Sequence, residues 1–585
     1  MELNRRRFVF SVAASGAAVG QQGPPREEPV EKMTPGPKPA IALNHLGFLP
    51  DARKILVFRA PAGSQPSMFT ARDIGSPPQP FSIASALKRV SGDFGDCLIG
   101  DFSNLKREAM YQISVDGERS VPFFIRSDVW RRTLPKAVSF HTAERCGIAV
   151  PNVHQACHLD DARRRDNGEY IDMTGGWHDA GDLRKWMTAT MTNGFGLLYL
   201  ARHLGKQWDQ GGSGVKTLLE EARWGNRYFL KMQDTDGRVF ADVAGGVNGD
   251  NSDNHWTDNV AGNNDDRYVN TAKNPAVQCM FTALQALAAQ EYRSYDPSFG
   301  QQCLAAGVRC WKANPREGAT CDLGWWLIAA TELSRATKDP DYAAEAARLA
   351  QLLLARQQTA FAGNQRRIRG YFQVSATERL PFTDAVYSAI PAIALLMAAS
   401  QLPAHPAAGG WRDAVRMYLD EYVTPLSERS AFRIIPFGVF HGSPTPESYR
   451  PLDGELTYRY FLPVRKQFWW LGTTSHLEIH AALLGMAARV FDQREYRDLG
   501  YRQMEWVMGA NPFGACLMTG EGMRNVYPHS RFAGLINGGI VNGIAGNAKD
   551  EPILDTEYGY DWRTTEYWSP HNAWYLWATS QLERM

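Results

Sequence analysis

The chain has 585 residues, with 63 basic and 62 acidic side chains and a formal net charge of +1. That balance argues against nucleic acid or an anionic membrane surface as the main partner. The length exceeds one compact core and predicts two domains, or one large barrel with an accessory, while 44% hydrophobic and 21% charged residues describe an ordinary soluble globular protein.

The first element in the chain is an address. "NRRRFVFSVAASGAAVG" places Arg5, Arg6 and Arg7 before an apolar run from Phe8 to Val19. The run is too short to span a bilayer comfortably, and the arginines predict a twin-arginine signal peptide over residues 1–20. A basic cytosolic tail is the plainer alternative. Residues 21–38 are rich in Pro and Gly and read as a disordered linker. The chain has eight cysteines, too few for a disulfide scaffold. Export after folding would expose them first to a reducing cytosol, leaving some free to hold a metal.

Residues 39–127 have strand character. "KILVFRA" is a short apolar run, and "YQISVDGERSVPFFI" alternates Tyr111, Ile113 and Val115 with Val121, Phe123 and Ile125 around Asp116-Gly117. This predicts a hairpin, because Gly accepts the positive φ of the turn, within a small β-sandwich. From residue 128 to 585 the period becomes helical. Helices are expected at 187–203, 216–233, 276–293, 324–337, 341–358, 383–401, 474–491, 495–509 and 570–582, with weaker ones near 134–145, 299–312 and 410–422. About twelve helices pairing consecutively around one axis make an α/α toroid. Segments 241–275, 361–382 and 425–467 are predicted as long loops, which are often functional.

Two acidic features carry the chemistry. In "GGWHDAGDLRKW", residues 175–186, Asp179 and Asp182 are separated by Ala180 and Gly181. Were the turn helical, the (i, i+3) spacing would put both carboxylates on one side, where their proton affinities are driven apart and together they could hold one water. A polar helix cap is the competing reading. Near the far end, "DWRTTEYWSPHNAWYLWA" sets Glu566 among Tyr567, Trp568 and Trp574. Desolvation there raises the carboxyl pKa and suits a proton donor; a simple ion pair with Arg563 competes. One water-activating carboxylate and one raised-pKa acid are the equipment for glycoside hydrolysis.

On these residues the chain resembles glycoside hydrolase family 9, the cellulase family, in the subgroup with an N-terminal immunoglobulin-like domain. "NHLGFLPDARKILVF" and "GDFSNLKREAMYQISV…PFFI" resemble the β-domain. "GGWHDAGDLRKW", "MEWVMGANPFGACLMTGEG" with "YPHSR", and "TTEYWSPHNAW" follow the order of the catalytic motifs. The resemblance implies a mainly α fold, an (α/α)6 barrel preceded by a small immunoglobulin-like β-sandwich. It also implies an inverting hydrolase of β-1,4-glucosidic bonds in cellulose or related β-glucans, periplasmic or secreted. In that reading Asp182 is the base that activates water, Asp179 positions that water, and Glu566 protonates the leaving oxygen. His529 and Arg531 bind the sugar beside the cleaved bond; a capping His and a surface Arg are their plainer readings.

The residues Cys146, Cys157, His158 and His178 offer two thiolates and two imidazoles, a tetrahedral zinc complement, although a Cys146–Cys157 disulfide with two unrelated histidines satisfies the same sequence. Resemblance to zinc-bearing members of the subgroup favours structural Zn²⁺. Segment 248–270 is rich in Asp and Asn. Oxygen-rich loops can hold Ca²⁺, and calcium occurs in related members, but the spacing is not that of an EF-hand and assigns no ligands. This segment and "PHSR", which lacks the usual doubled histidine, depart from the family pattern. They keep open an exo-acting enzyme on cello-oligosaccharides or glucosaminides, and a non-catalytic carbohydrate-binding protein on the same scaffold. Trp325, Trp326, Trp469 and Trp470 could stack on sugar rings or fill the core.

Overall fold

The computed structural model describes residues 39–75, 81–208, 214–245, 255–361, 368–441, 450–453, 456–462, 471–532, 535–556 and 561–583. The expected signal peptide and linker, and Trp469 and Trp470, lie outside them. Strands come first: β1 (Ile41–Ala42), β2 (Ile55–Phe58), β3 (Met68–Asp73), β4 (Ser82–Gly92), β5 (Gly95–Asp101), β6 (Ala109–Val115), β7 (Glu118–Arg119) and β8 (Phe123–Ile125). All ladders are antiparallel, in the order β1-β2-β5-β4-β3-β6-β7, with β8 beside β6. The long strand β4 pairs with β3 through Ser82–Ala86 and with β5 through Leu87–Gly92, so it crosses from one half of the sandwich to the other. Leu56, Phe58, Phe69, Tyr111, Ile113 and Phe123 fill the space between. The predicted hairpin is present. Val115 pairs with Glu118, and the two loop residues, Asp116 and Gly117, have φ of 47° and 83°, the positive values of a type I′ turn.

Among the described residues twelve longer helices follow: α1 (Leu134–Ala143), α2 (Met187–Trp208), α3 (Gly214–Lys231), α4 (Pro275–Glu291), α5 (Pro297–Ala313), α6 (Thr320–Thr337), α7 (Pro340–Leu354), α8 (Ile390–Gln401), α9 (Ala408–Tyr418), α10 (Thr474–Phe491), α11 (Arg494–Val507) and α12 (Ser569–Leu582). Helices α2, α4, α6, α8, α10 and α12 each pack on the next, and α12 closes back on α2; α3, α5, α7, α9, α11 and α1 lie outside them. Burial follows this division. Every residue of the inner helix α12 is buried, whereas the outer helix α7 buries Ala346, Leu349, Ala350 and Leu353, the one-sided stripe of a surface helix. Trp325 and Trp326 on α6 are 1% exposed and belong to the core, so they stack on no sugar. Among the described residues no helix is long and apolar enough to cross a membrane.

Three elements differ from expectation. One is segment 425–467, which is not loop throughout but carries strands Gly438–His441, Arg450–Asp453 and Leu456–Arg459 in one antiparallel sheet, paired because Val439 lies opposite Tyr458 and Pro451 opposite Thr457. Helix α8 begins at Ile390 instead of 383, because the Asp384 carboxylate accepts the N–H groups of Val386 (2.7 Å) and Tyr387 (2.8 Å) and holds a turn there, and Pro391 then fixes the first helical turn. Segment 241–275 is not loop throughout. It contributes β11 (Asp242–Ala244) and β12 (Tyr268–Asn270), which join β9 (Arg163–Arg164) and β10 (Lys185–Trp186) in the order β10-β11-β12-β9. The sandwich grips the barrel through the β4–β5 turn. Phe94 enters a ring of Phe432, Tyr460, Phe461 and Trp506 at centroid distances of 4.8–6.2 Å, while the Asp93 carboxylate accepts the hydroxyls of Tyr458 and Tyr460 at 2.5 and 2.8 Å.

Candidate active site

The turn 175–186 is anchored before it is functional. Gly175 and Gly176 take φ of 91° and 78°, and a Cβ on Gly176 would stand 2.6 Å from the Tyr228 ring, so only glycine fits. Trp177 is fully buried in the notch left by Gly225 and donates its indole N–H to Glu221 at 2.9 Å. From this anchor His178 donates its backbone N–H to the Glu144 carbonyl at 2.8 Å, and the Asp179 N–H closes a loop on the Arg184 carbonyl at 2.7 Å.

The turn is not helical. Ala180 forms a β-bridge with Trp568, and Leu183 has φ of 70°. What places the acids together is a backbone lock between three distant segments. Ser569 N–H donates to the Asp179 carbonyl (2.7 Å), Gly181 N–H to the Tyr567 carbonyl (3.3 Å), Arg531 N–H to the Gly181 carbonyl (2.8 Å) and His529 N–H to the Thr565 carbonyl (3.1 Å). His529 also bridges Glu566, whose carbonyl accepts from Asn542 N–H at 2.9 Å. The strands approach so closely that a Cβ on Gly181 would lie 2.7 Å from the His529 carbonyl oxygen. Asp179, Asp182, His529, Arg531 and Glu566 therefore share one small region.

Their environments differ. Asp179 is 3% exposed; its Oδ1 accepts Trp186 N–H at 3.0 Å and its Oδ2 the Trp568 indole N–H at 3.1 Å. Asp182 is half-buried and its Oδ1 accepts Arg184 N–H at 3.2 Å. The capping bonds of the plainer reading thus exist alongside the clustering. Glu566 is 9% exposed, and His529 and Arg531 are exposed. Arg563 pairs with Asp561 at 3.4 Å. Burial, then the fields of Asp182 and Asp179, push the Glu566 carboxyl well above the usual range against the Arg531 guanidinium. Burial and the Asp182 charge raise Asp179 as well. Burial also raises Asp182, opposed by the Arg184 N–H and by the Arg184 and Arg531 charges. Three carboxyls in one desolvated cluster cannot all ionise freely, even with the Arg184 and Arg531 charges opposing the shift, so their proton affinities are driven up.

Directly behind the turn, Cys146, Cys157, His158 and His178 are all buried and bring four donor atoms within 4.8 Å of one another, a cluster able to hold a metal ion. Both cysteines are free thiols, not a disulfide. Cys146 Sγ lies 3.6 Å from His158 Nδ1, Cys157 Sγ 3.8 Å from His178 Nε2, and the two nitrogens are 3.3 Å apart. Burial holds the His178 imidazole down, to about 4, leaving it neutral. Burial alone would raise Cys146, but the Cys157 hydrogen bond and the Lys185 charge bring its thiol well below the usual value. Neutral imidazole and thiolate are the ligating forms.

Three contacts were not expected from the sequence. The Trp568 indole holds Asp179, and its signal was its place two residues after Glu566. Glu144 lies fully buried with one carboxylate oxygen 3.9 Å from His178 Nδ1, the partner a ligating histidine usually has on its other nitrogen. Trp256, 40% exposed, stacks on His158 at 5.9 Å.

A closed double ring of six inner and six outer helices behind a small β-sandwich, with acids converging at the loop end, is the architecture of an (α/α)6 hydrolase barrel. The chain belongs to glycosyl hydrolase family 9, whose model matches residues 130–552, and residues 36–120 match the cellulase N-terminal ig-like domain. It is 26% identical over 291 residues to a cellodextrinase from Butyrivibrio fibrisolvens (46% of this chain, 51% of that protein) and 27% identical over 294 residues to endoglucanase D of Acetivibrio thermocellus (46% and 44%). The matches thus span about half the length of these relatives. In fold it is similar to a single-mutant thermostable endoglucanase from Alicyclobacillus acidocaldarius, with a TM-score of 0.69 at 19% identity, covering 94% of this chain and 100% of that one.

Proposed function

We propose that the chain is an exported, inverting hydrolase of β-1,4-glucosidic bonds in cellulose or related β-glucans, with a β-sandwich unit over 39–127 and a catalytic unit over 128–585. Asp182 is the base that draws a proton from water, Asp179 fixes that water and its partner, and Glu566 donates a proton to the leaving oxygen. His529 and Arg531 contact the sugar. The observation that carries this reading is the backbone lock, which sets a half-buried, hydrogen-bonded carboxylate and a desolvated carboxylic acid beside two exposed polar side chains. Asp179 is poorly suited to be the base, since both of its oxygens already accept hydrogen bonds. Cellohexaose hydrolysis followed by proton NMR tests the proposal. Internal cuts are expected to give cellobiose to cellotetraose from the earliest times, each new reducing end appearing first as the α-anomer. Initial β-anomer, or no hydrolysis of any β-glucan, would overturn it; glucose with cellopentaose, or cellobiose with cellotetraose and no cellotriose, from the start would move it to the exo-acting reading on cello-oligosaccharides.

The four-donor cluster fits Zn²⁺. A tetrahedron with Zn–N of about 2.0–2.1 Å and Zn–S of about 2.3 Å has N–N edges of about 3.3 Å and S–N edges of about 3.6 Å, against 3.3 Å and 3.6–3.8 Å here. With four protein ligands the ion has no open position and supplies rigidity, not reaction chemistry: it holds His178, and through it the backbone of Asp179. One zinc per chain is expected by elemental analysis. Its removal with dipicolinate is expected to lower Tm by about 5 °C or more and to abolish activity; a metal-free chain with unaltered Tm and turnover would refute the assignment.

A further inference from the structure

Three buried polar side chains stand in line beside the backbone of Glu566. They are Ser475 on α10, His571 on α12 and Asn542. The His571 ring joins the other two. Its Nδ1 lies 2.6 Å from the Ser475 hydroxyl and its Nε2 2.7 Å from Asn542 Oδ1.

One acceptor fixes the direction of every bond in the line. The Trp562 carbonyl can only accept, so the amide atom 2.7 Å from it is the NH₂ of Asn542. Asn542 Oδ1 is then free to accept, and His571 Nε2 carries the proton it receives. Burial holds the imidazole neutral, with its pKa lowered to about 3. Nδ1 therefore has no proton and accepts the Ser475 O–H. The donors run in one direction, from Ser475 through His571 and Asn542 to the main chain at Trp562.

The far end of this relay grips the peptide on both sides of Glu566. The Asn542 N–H donates to the Glu566 carbonyl at 2.9 Å. The Asn542 NH₂ donates to the Trp562 carbonyl, the same oxygen that receives the Glu566 N–H at 3.0 Å. Asn542 is tied to α10 a second time, because its carbonyl accepts the Thr474 hydroxyl at 2.8 Å. Backbone bonds alone already pair this segment with the one that carries Glu566, through Val541 with Tyr567 and Gly543 N–H on the Thr564 carbonyl. The side chains are thus not needed to form the lock. Apolar groups would fill the same space without desolvating three polar ones. What the polar relay adds is a single fixed arrangement, and the group at its end is the proposed proton donor. Misplacing a reacting group by about 1 Å can cost about 10²-fold in rate.

We propose that Asn542 and His571 are positioning residues that hold the Glu566 carboxyl in the geometry of proton donation, with Ser475 setting the His571 tautomer. This rests on the proposed role of Glu566 and extends it to three buried side chains.

The test compares full-length variants on two substrates: cellotetraose, whose leaving oxygen needs a proton, and a dinitrophenyl β-cellobioside, whose phenolate does not. His571→Phe keeps a ring and removes both bonds. It is expected to lower kcat on cellotetraose by about 10–100-fold, and on the aryl glycoside by less than about threefold, with KM little changed. His571→Gln returns an N–H donor near the Nε2 position and is expected to recover most of the cellotetraose turnover. A merely loosened scaffold would slow both substrates alike. Equal losses on the two substrates by a folded His571→Phe, full activity in that variant, or a Gln variant no better than Phe, would overturn the relay. If His571→Phe does not fold, Ser475→Ala decides. A loss of about threefold or more, confined to cellotetraose, is expected; an unselective loss, or none, overturns the relay. Glu566→Gln measured alongside separates the two claims. Selectivity in Glu566→Gln without selectivity in the relay variants sinks the relay alone, whereas no selectivity in Glu566→Gln sinks the proton-donor reading and the relay with it.

Discussion

Asp182→Asn is expected to lower kcat on a soluble β-glucan by about 10²–10⁴-fold while leaving saccharide binding within a few-fold of the wild type. The amide has the shape of the acid and keeps an oxygen for the Arg184 N–H, now at 3.2 Å from Oδ1, so the turn keeps its form. What it cannot do is take a proton from water. The loss therefore falls on kcat and not on binding, which calorimetry with cellotetraose would report directly. Asp179→Asn should behave differently. Both Asp179 oxygens accept N–H donors, so an amide NH₂ must face one of them, and part of the damage is a displaced turn, visible as a lower Tm. Unchanged turnover in Asp182→Asn would remove the base assignment; equal turnover and Tm losses in both variants would mean that both acids are only structural.

The helical ring was legible because burial imposes a 3.6-residue period on every outer helix and near-continuous apolar character on the inner ones. The start of α8 was not, since it depends on one side chain, Asp384, capturing two N–H groups. Short strands β11 and β12 were invisible for a similar reason: three residues carry no period, and they are strands only because β9 and β10 lie alongside. The four-donor cluster could be read from residue types but not from spacing, because its donors come from positions 146 to 178 on irregular backbone. The acids stood out by type and motif. Their convergence did not, because it is made by backbone hydrogen bonds, which any residue can form. The Trp568 indole that fixes Asp179 is 389 positions away in sequence, and Glu144 reaches His178 from the end of α1. Such contacts leave no local pattern.

Glu566→Gln separates proton donation from every other contribution at the site. The group sits where burial and two neighbouring carboxylates keep its proton on well above the usual range. A general acid matters in proportion to the basicity of the oxygen it must protonate. On cello-oligosaccharides, whose leaving group is a poorly acidic sugar hydroxyl, the variant is expected to lose about 10²–10⁴-fold in kcat. On a dinitrophenyl β-cellobioside, whose phenolate leaves unaided, the loss should be less than about tenfold. The pH profile gives a second readout with a definite sign. The acid form of Glu566 is active and its pKa is raised, so wild-type activity falls as pH rises through that elevated value, and this alkaline limb should vanish in Glu566→Gln. The acidic limb, set by protonation of the Asp179–Asp182 pair, should remain. If the variant lost both substrates equally, Glu566 would be holding sugar or backbone in place, and the proton donor would have to be sought elsewhere among the groups around Arg531.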